Sequence, residues 1–350
     1  MTAPRRALRR LSAAWLFLFC LPASPAHADR GITVAAVGDV MMGSDFPSPN
    51  LPADRGRRLL APAAPIFKSC DLALANLEGP LTAEDRPVKE GVPGRSYLFR
   101  TPPSYAANLK EAGISMVSLA NNHALDFGAA GFAATKKALK NAGVAFSAKT
   151  GEIAEFDVRG VTVGVLSLSF GPPPRSIVYP ARALAEIERA ARRYRILILS
   201  IHAGAEGAAA QHVRPGMEYF LNEPRGDLLS FARRAIERGA SLVLAHGPHV
   251  PRALELYRGR LIAYSLGNFA TYSGVNVSGA SGYAPLLTVE LDGDGAFRSG
   301  MMHSFQQHPR SGPQPDPGRH ALKLMQRLTA ADFPDSGLLF GEGGEIVRTR

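Results

Sequence analysis

NNHALDFGAAG, Asn121 to Gly131, follows directly on the apolar run Met116 to Ala120. A short apolar run of this kind reads as a strand buried in a sheet. Two carboxamides, an imidazole and a carboxylate within six positions of its end read as ligands hung from that strand. If enclosed, Asn121, Asn122 and His123 must all find hydrogen bonds or an ion, so an ordinary turn explains them poorly. Asp126 can accept the other ring proton of His123 or cap a helix beginning near Gly128. Four more segments end in the same way: GD at Gly38 and Asp39, NLE at Asn76 to Glu78, HAGAE from His202, and HGPH from His246 to His249. Five strand ends carrying nitrogen and oxygen ligands predict one shared site at the carboxyl edge of a sheet, where open α/β folds place their chemistry.

Apolar, β-branched runs recur at 32–37, 72–75, 116–119, 161–168, 196–201, 242–245 and 261–265, with amphipathic segments at 104–112, 129–142, 181–193 and 226–238. This alternation predicts buried strands with helices packed outside them. AGI at Ala112 and AGV at Ala142 place a glycine where a helix ends and a strand begins. Beyond Tyr264 the strands near 285–291 and 296–304 have no helix between them, and DGDG at Asp292 to Gly295 supplies a hairpin turn. A second sheet packed on the first is therefore expected. After His308, PRSGPQPDPG reads as a connector, and 320–330 as a short helix. The expected organisation is one domain over 29–308, then a connector and helical tail over 309–350. The charged loop from Gly79 to Arg100 passes beside Glu78 and has the length of a functional lid.

MTAPRRALRR, the apolar block Leu11 to Ala23 and the A-x-A ending Ala26 to Ala28 have the pattern of a secretory signal over residues 1–28. The block is too short for a stable membrane span, and Cys20 behind Phe19 is a poor context for lipid attachment. The expectation is a soluble, secreted or periplasmic protein. Cleavage would leave Cys70 as the only cysteine, which excludes an intramolecular disulfide. Stability must then come from a core, which 46% hydrophobic residues can supply. The 40 basic residues outnumber 30 acidic ones, a balance that fits an anionic partner such as a phosphorylated or carboxylated polymer. They are dispersed rather than gathered with aromatics, which argues against nucleic acid.

Asp39, in VGDVMMG, offers a carboxylate to a hard or borderline divalent cation, and Glu78 offers another. His202 alone reads as a core histidine, but Glu206 four positions on strengthens the case for a ligand. His246 and His249, three apart around Gly247 and Pro248, can converge on one ion. No nucleophilic serine motif, phosphate-cradling glycine loop or CxxC pair is present. Hydrolysis would thus depend on a metal for its nucleophile, with His123 outside the ligand set as general acid. His212, His303, His308 and His320 lack comparable settings.

From Thr33 to Tyr272 these segments, in this order, resemble the capsule synthesis CapA family, also described as poly-γ-glutamate biosynthesis proteins and similar to the calcineurin-like metallophosphoesterases. NNHALDFGAAG, GPHV at 247–250 and YSLGNF at 264–269 carry the resemblance. It implies a four-layer αββα sandwich of two mixed sheets flanked by helices, with one or two divalent ions, manganese, zinc or iron. It further implies that Asp39 holds one ion and Glu78 bridges two. Asn122, His202 and His246 would complete the second, His249 would return to the first, and His123 would donate a proton. Met41 stands where the phosphoesterases place a histidine, Glu78 where they place a bridging aspartate, and Gly247 and Ala203 where CapA relatives often carry histidine and tryptophan. The implied activity is a metal-dependent hydrolase acting on an anionic polymer or phosphoester. The missing ligand at Met41 leaves a polymer-binding or assembly factor as the alternative.

Overall fold

A computed structural model describes residues 31–88 and 97–349, and the expected signal segment lies outside the described residues. The first half of the chain runs β1 (Ile32–Met41), α1 (Ala64–Ser69), β2 (Leu72–Leu77), α2 (Ala106–Ala112), β3 (Met116–Ser118), α3 (Gly128–Ala142), β4 (Ala145–Ser147), β5 (Ala154–Val158) and β6 (Val161–Ser169). It continues with α4 (Pro180–Ala191), β7 (Ile196–His202), β8 (Glu218–Phe220), β9 (Glu223–Gly226), α5 (Leu228–Glu237) and β10 (Leu242–His246). The last part comprises β11 (Leu254–Tyr257), β12 (Arg260–Ala263), β13 (Asn268–Thr271), β14 (Tyr283–Leu291), β15 (Phe297–Gln306), β16 (Gln314–Pro315), α6 (His320–Asp332), β17 (Leu338–Phe340) and β18 (Glu345–Arg348).

Among the described residues these strands form two large mixed sheets and a two-stranded β8-β9 ribbon. One has the order β17-β18-β15-β14-β1-β2-β3-β4, with β13 also pairing β1 and β16 pairing β15. The other has the order β11-β12-β10-β7-β6-β5, parallel through its four central strands and antiparallel at both edges. Side chains alternate across each strand, so one sequence run serves two layers. Val34, Ala36, Leu72 and Leu74 face Val163, Val165, Ile196 and Ile198 across the space between the sheets. Ala35, Val37, Ala73 and Ala75 face outward, under Phe67, Leu109 and Leu139 of α1, α2 and α3. On the far side Leu166, Leu168, Leu197 and Leu199 pack under α4 and α5. Central strands buried on both faces explain continuous runs such as ILILSIH, where every residue is buried. The molecule is thus a four-layer αββα sandwich.

Helix α5 shows how local sequence builds a layer. Asp227 caps it by accepting from Ser230 N at 3.0 Å, and Leu228, Phe231, Ala232, Ala235 and Ile236 recur at helical spacing and are all buried. Truncating Phe231 to alanine would cost about 3–5 kcal/mol. The glycines at 113 and 143 adopt φ of 97° and 69° and end α2 and α3 in the left-handed turn that only glycine enters readily.

The region 309–350 is more than a connector and tail. Leu322 and Met325 of α6 enter the layer between the sheets, while Leu324 and Leu328 join the core under α4 and α5. Strand β18 pairs with β15, and β17 with β18, extending the first sheet. Residues 31–350 form one compact unit.

Candidate metal centre

The carboxyl ends of β1, β2, β7 and β10 deliver the expected ligands to one place. Near its end β1 is irregular against both β2 and β13, a local bend of the kind that re-aims a side chain. Gly38 makes that bend possible, because a Cβ on it would run into the carbonyl oxygen of Gly267. Asp39 N donates to the same oxygen at 2.9 Å. The Asp39 carboxylate is thereby fully buried, with Oδ1 3.6 Å from His246 Nδ1 and Oδ2 3.1 Å from His249 Nδ1. His202 Nδ1 lies 3.1 Å from His246 Nδ1, and Ser200 Oγ lies 2.9 Å from His246 Nε2. Glu78 Oε1 lies 3.7 Å from His249 Nε2 and 4.0 Å from His202 Nε2.

Two donor groups emerge, Asp39 with His202 and His246, and Asp39 with Glu78 and His249, each with one donor atom per residue and all of these within 4.8 Å of one another. Asp39, rather than Glu78, is the member common to both. Both oxygens of Glu78 and Nε2 of His202 are buried without a hydrogen-bond partner. Unpaired buried polar atoms are costly, and a cation is the ligand that suits two carboxylates and three imidazoles. The residues therefore fit a divalent ion.

Their electrostatics agree. Burial would raise Asp39, but the hydrogen bond and charge of His249, with the charges of His246 and His202, hold it well below the usual carboxylate range. Glu78 goes the other way, pushed well above that range by burial and by the Asp39 charge. Burial and the neighbouring His246 depress His202, and burial lowers His246 to about 4. Burial would also lower His249, yet Glu78 and Asp39 raise it to about 10. A bound cation would compete with protons for these carboxylates and imidazoles.

His249 has φ of 58°, a left-handed conformation uncommon outside glycine. Asn268 holds it there: its Nδ2 donates to His249 O at 3.2 Å and its Oδ1 lies 3.0 Å from His249 Nδ1. Glu206 Oε2 lies 3.9 Å from His249 Nε2, while Oε1 accepts from Arg225 at 2.7 Å.

Asn122, expected beside His202 and His246, is exposed. The inward place is taken by Asn121, which donates to Asn76 Oδ1 at 3.0 Å and to Leu77 O at 2.9 Å. Asn76 in turn donates to Asp39 Oδ1 at 2.8 Å. Asn121 and its successor lie in the bend after β3, where only Asn121 turns inward. Asn121 Oδ1 also accepts from His123 N at 3.1 Å, so a relay of amides ties His123 to the cluster. His123 Nδ1 lies 3.0 Å from Asp126 Oδ2, which also accepts from Phe99 N, and the Phe99 ring lies 4.4 Å from the imidazole. The Gly79 to Arg100 loop thus touches the His123 and Asp126 pair through Phe99 and through Val88 N, which donates to Asp126 O. His212 and His320 pair with Asp332 and Asp316, outside both donor groups.

Asn76 and Asn268 had no assigned role in the sequence reading, although both lie in the quoted stretches NLE and YSLGNF. A carboxamide directly before or within a ligand stretch was the available signal.

Residues 33–273 match the model of the family described as bacterial capsule synthesis protein PGA_cap. The chain belongs to that family. Among its relatives this PGA_cap chain is 26% identical over 271 residues to "PGA biosynthesis protein CapA" of Bacillus subtilis, covering 72% of this chain and 67% of that one. It is 27% identical over 265 residues to "Capsule biosynthesis protein CapA" of Bacillus anthracis, covering 69% of this chain and 60% of the relative's length. Among solved structures it is similar to a 5'-nucleotidase precursor from Thermus thermophilus, at a TM-score of 0.45 and 13% identity over 85% of this chain and 58% of the other. It is also similar to a purple acid phosphatase from yellow lupin seeds, at a TM-score of 0.39 and 10% identity over 83% and 55% of the two chains.

Proposed function

We propose that this PGA_cap chain is an exported, metal-dependent hydrolase acting on an anionic capsular or cell-envelope polymer or on a phosphoester. The observation that carries the reading is the set of unpartnered buried donors, both Glu78 oxygens and His202 Nε2, inside a group of carboxylates and imidazoles. A divalent ion, manganese, zinc or iron, held by Asp39, Glu78, His202, His246 and His249 would supply Lewis acidity and a nucleophile at neutral pH. Asp126 Oδ2, 3.0 Å from His123 Nδ1, would orient the imidazole as the proton donor to the leaving oxygen. The relatives' names, PGA and capsule biosynthesis, support an acidic polymer as substrate, and the pattern of residues 1–28 supports export.

Elemental analysis of the purified protein, with hydrolysis assays on phosphodiester and γ-glutamyl substrates, tests the proposal. Bound metal that disappears in His202→Ala plus His246→Ala, with activity that follows the metal, is the expected result. No activity with any metal and no change in metal content would defeat it.

A second reading, a polymer-binding or assembly factor on a reduced metal site, is favoured by Met41. Its side chain is buried and accepts from Gly43 N at 3.3 Å, so a soft thioether turned into its own loop stands where a further nitrogen ligand would help. Salt-sensitive binding of an acidic polymer that persists in His123→Ala, without turnover, would select this reading.

A further inference from the structure

Lys149 is a cation that the metal centre does not use. It follows β4 by two residues, on the edge where β1, β2 and β3 lead to Asp39, Glu78 and His123. β4 joins the second sheet there, since Ser147 Oγ accepts from Ser167 N at 2.9 Å. The Lys149 ammonium lies over Gly171, in the space that a Cβ on Gly171 would fill, with Ser169 Oγ beside the same spot. Ser169 pairs in register with His202. Phe170 N donates to His202 O at 3.1 Å, and the two rings are 5.9 Å apart. Lys149 is therefore adjacent to the strand end that carries a metal ligand.

Lys149 is half-buried and has no acidic partner among the described residues: burial draws its pKa down and no carboxylate raises it. The buried guanidiniums of Arg175, Arg225 and Arg252 contrast with it, each paired with a carboxylate at 2.7 Å. Taking an ammonium partly out of water without a counter-charge is unfavourable, and an incoming anion offsets that cost. Gly171 keeps the approach open, because any side chain there would displace Nζ.

We infer that Lys149 binds an anionic group of the substrate, a carboxylate or phosphate oxygen, next to the bond presented at the metal centre. The inference rests on the reading of the site as one for an anionic substrate. A polyacid carries such a group on every unit, so a cation one strand end away from His202 would set which bond reaches the ions.

The test uses manganese-loaded full-length protein and two probes, a γ-linked oligoglutamate and inorganic phosphate, titrated calorimetrically into wild type, Lys149→Met and Lys149→Arg with and without EDTA. The same oligomer with its free carboxylates converted to carboxamides is the neutral control. Lys149→Met is expected to weaken the anion by about tenfold, the usual size of a charge-assisted contact. It should leave the neutral oligomer, the metal content and the melting temperature undiminished, and Lys149→Arg should retain most of the affinity. A loss confined to oligoglutamate assigns a carboxylate, and a loss confined to phosphate assigns a phosphate. Equal affinity in wild type and Lys149→Met, equal losses for charged and neutral oligomers, or no anion binding by wild type overturns the inference. Lys149-dependent binding that survives EDTA keeps the anion subsite even where elemental analysis finds no metal, so the two failures are distinguishable.

Discussion

Replacing Glu78 by glutamine should stabilise the metal-free protein and destabilise the loaded one. Glu78 is 1% exposed, neither carboxylate oxygen has a hydrogen-bond partner, and the Asp39 charge lies close enough to raise its pKa. An unsatisfied buried polar group costs about 1–3 kcal/mol. A glutamine of the same shape removes the like-charge repulsion and brings an amide N–H that Asp39 can accept. In EDTA, Glu78→Gln should therefore gain about 1–2 kcal/mol, or roughly 2–6 °C in melting temperature for a domain of this size. With metal the sign reverses. An ion at a hundred times its dissociation constant stabilises by about 2.7 kcal/mol and a hundredfold weaker site by only about 0.4, so the loss of about 2.3 outweighs the gain and leaves the variant about 0.3–1.3 kcal/mol less stable. Thermal melts of both proteins in EDTA and in excess manganese or zinc measure the two shifts. Shifts of the same sign under both conditions, or a wild-type melt indifferent to metal, would refute the reasoning.

Gly38→Ala should shift β1 away from Gly267, lowering metal content and stability together, by about 2 kcal/mol or more, as read by elemental analysis and urea unfolding. His123→Ala should keep its metal while turnover falls by about 10²–10⁴; loss of metal in that variant would place His123 among the ligands. Asp71 accepts from Thr33 N at 2.8 Å and pairs with Arg159, and although burial alone would raise it, these contacts hold its pKa below the ordinary 3.8. A depressed acid stabilises the fold above its unfolded pKa and loses that contribution as pH falls through the folded value. Asp71→Asn should accordingly be about 1 kcal/mol less stable at pH 7, with the gap closing below about pH 3.8 in urea titrations.

The long elements were legible because their pattern is local. Ile196 to Ile201 and Leu242 to Ala245 are apolar throughout, and a strand covered on both faces needs nothing else to declare itself. β4 (AFS) and β13 (NFAT) mix polar with apolar residues and lack such a run; β13 pairs with β1 through Asn268 opposite Asp39, a contact across more than two hundred residues. Helix α6 read as a tail because its partners are remote. Apolar residues on two of its faces, Leu322 and Met325 on one and Leu324 and Leu328 on the other, were the trace of its burial between layers. At the site, residue type identified the carboxylates and imidazoles, but facing did not follow from type. Asn121 and Asn122 are identical in chemistry, and the acceptors Asn76 Oδ1 and Leu77 O, supplied by another strand, determine which one turns inward.

The same dependence on neighbours separates Asp39 from Glu78. Both are carboxylates buried at adjacent strand ends, yet one is held strongly acidic and the other is driven towards its protonated form. The difference lies in His249, whose Nδ1 sits 3.1 Å from Asp39 and whose Nε2 is 3.7 Å from Glu78. That orientation requires the left-handed backbone at His249, and Asn268 holds the backbone by bonding at the carbonyl and the ring together. Asn268 itself is anchored by donating to Ser281 O at 3.0 Å, on the segment leading into β14. The geometry of the two donor groups is thus set by a carboxamide in YSLGNF whose side chain reaches them through His249. Its influence runs through one histidine to both carboxylates.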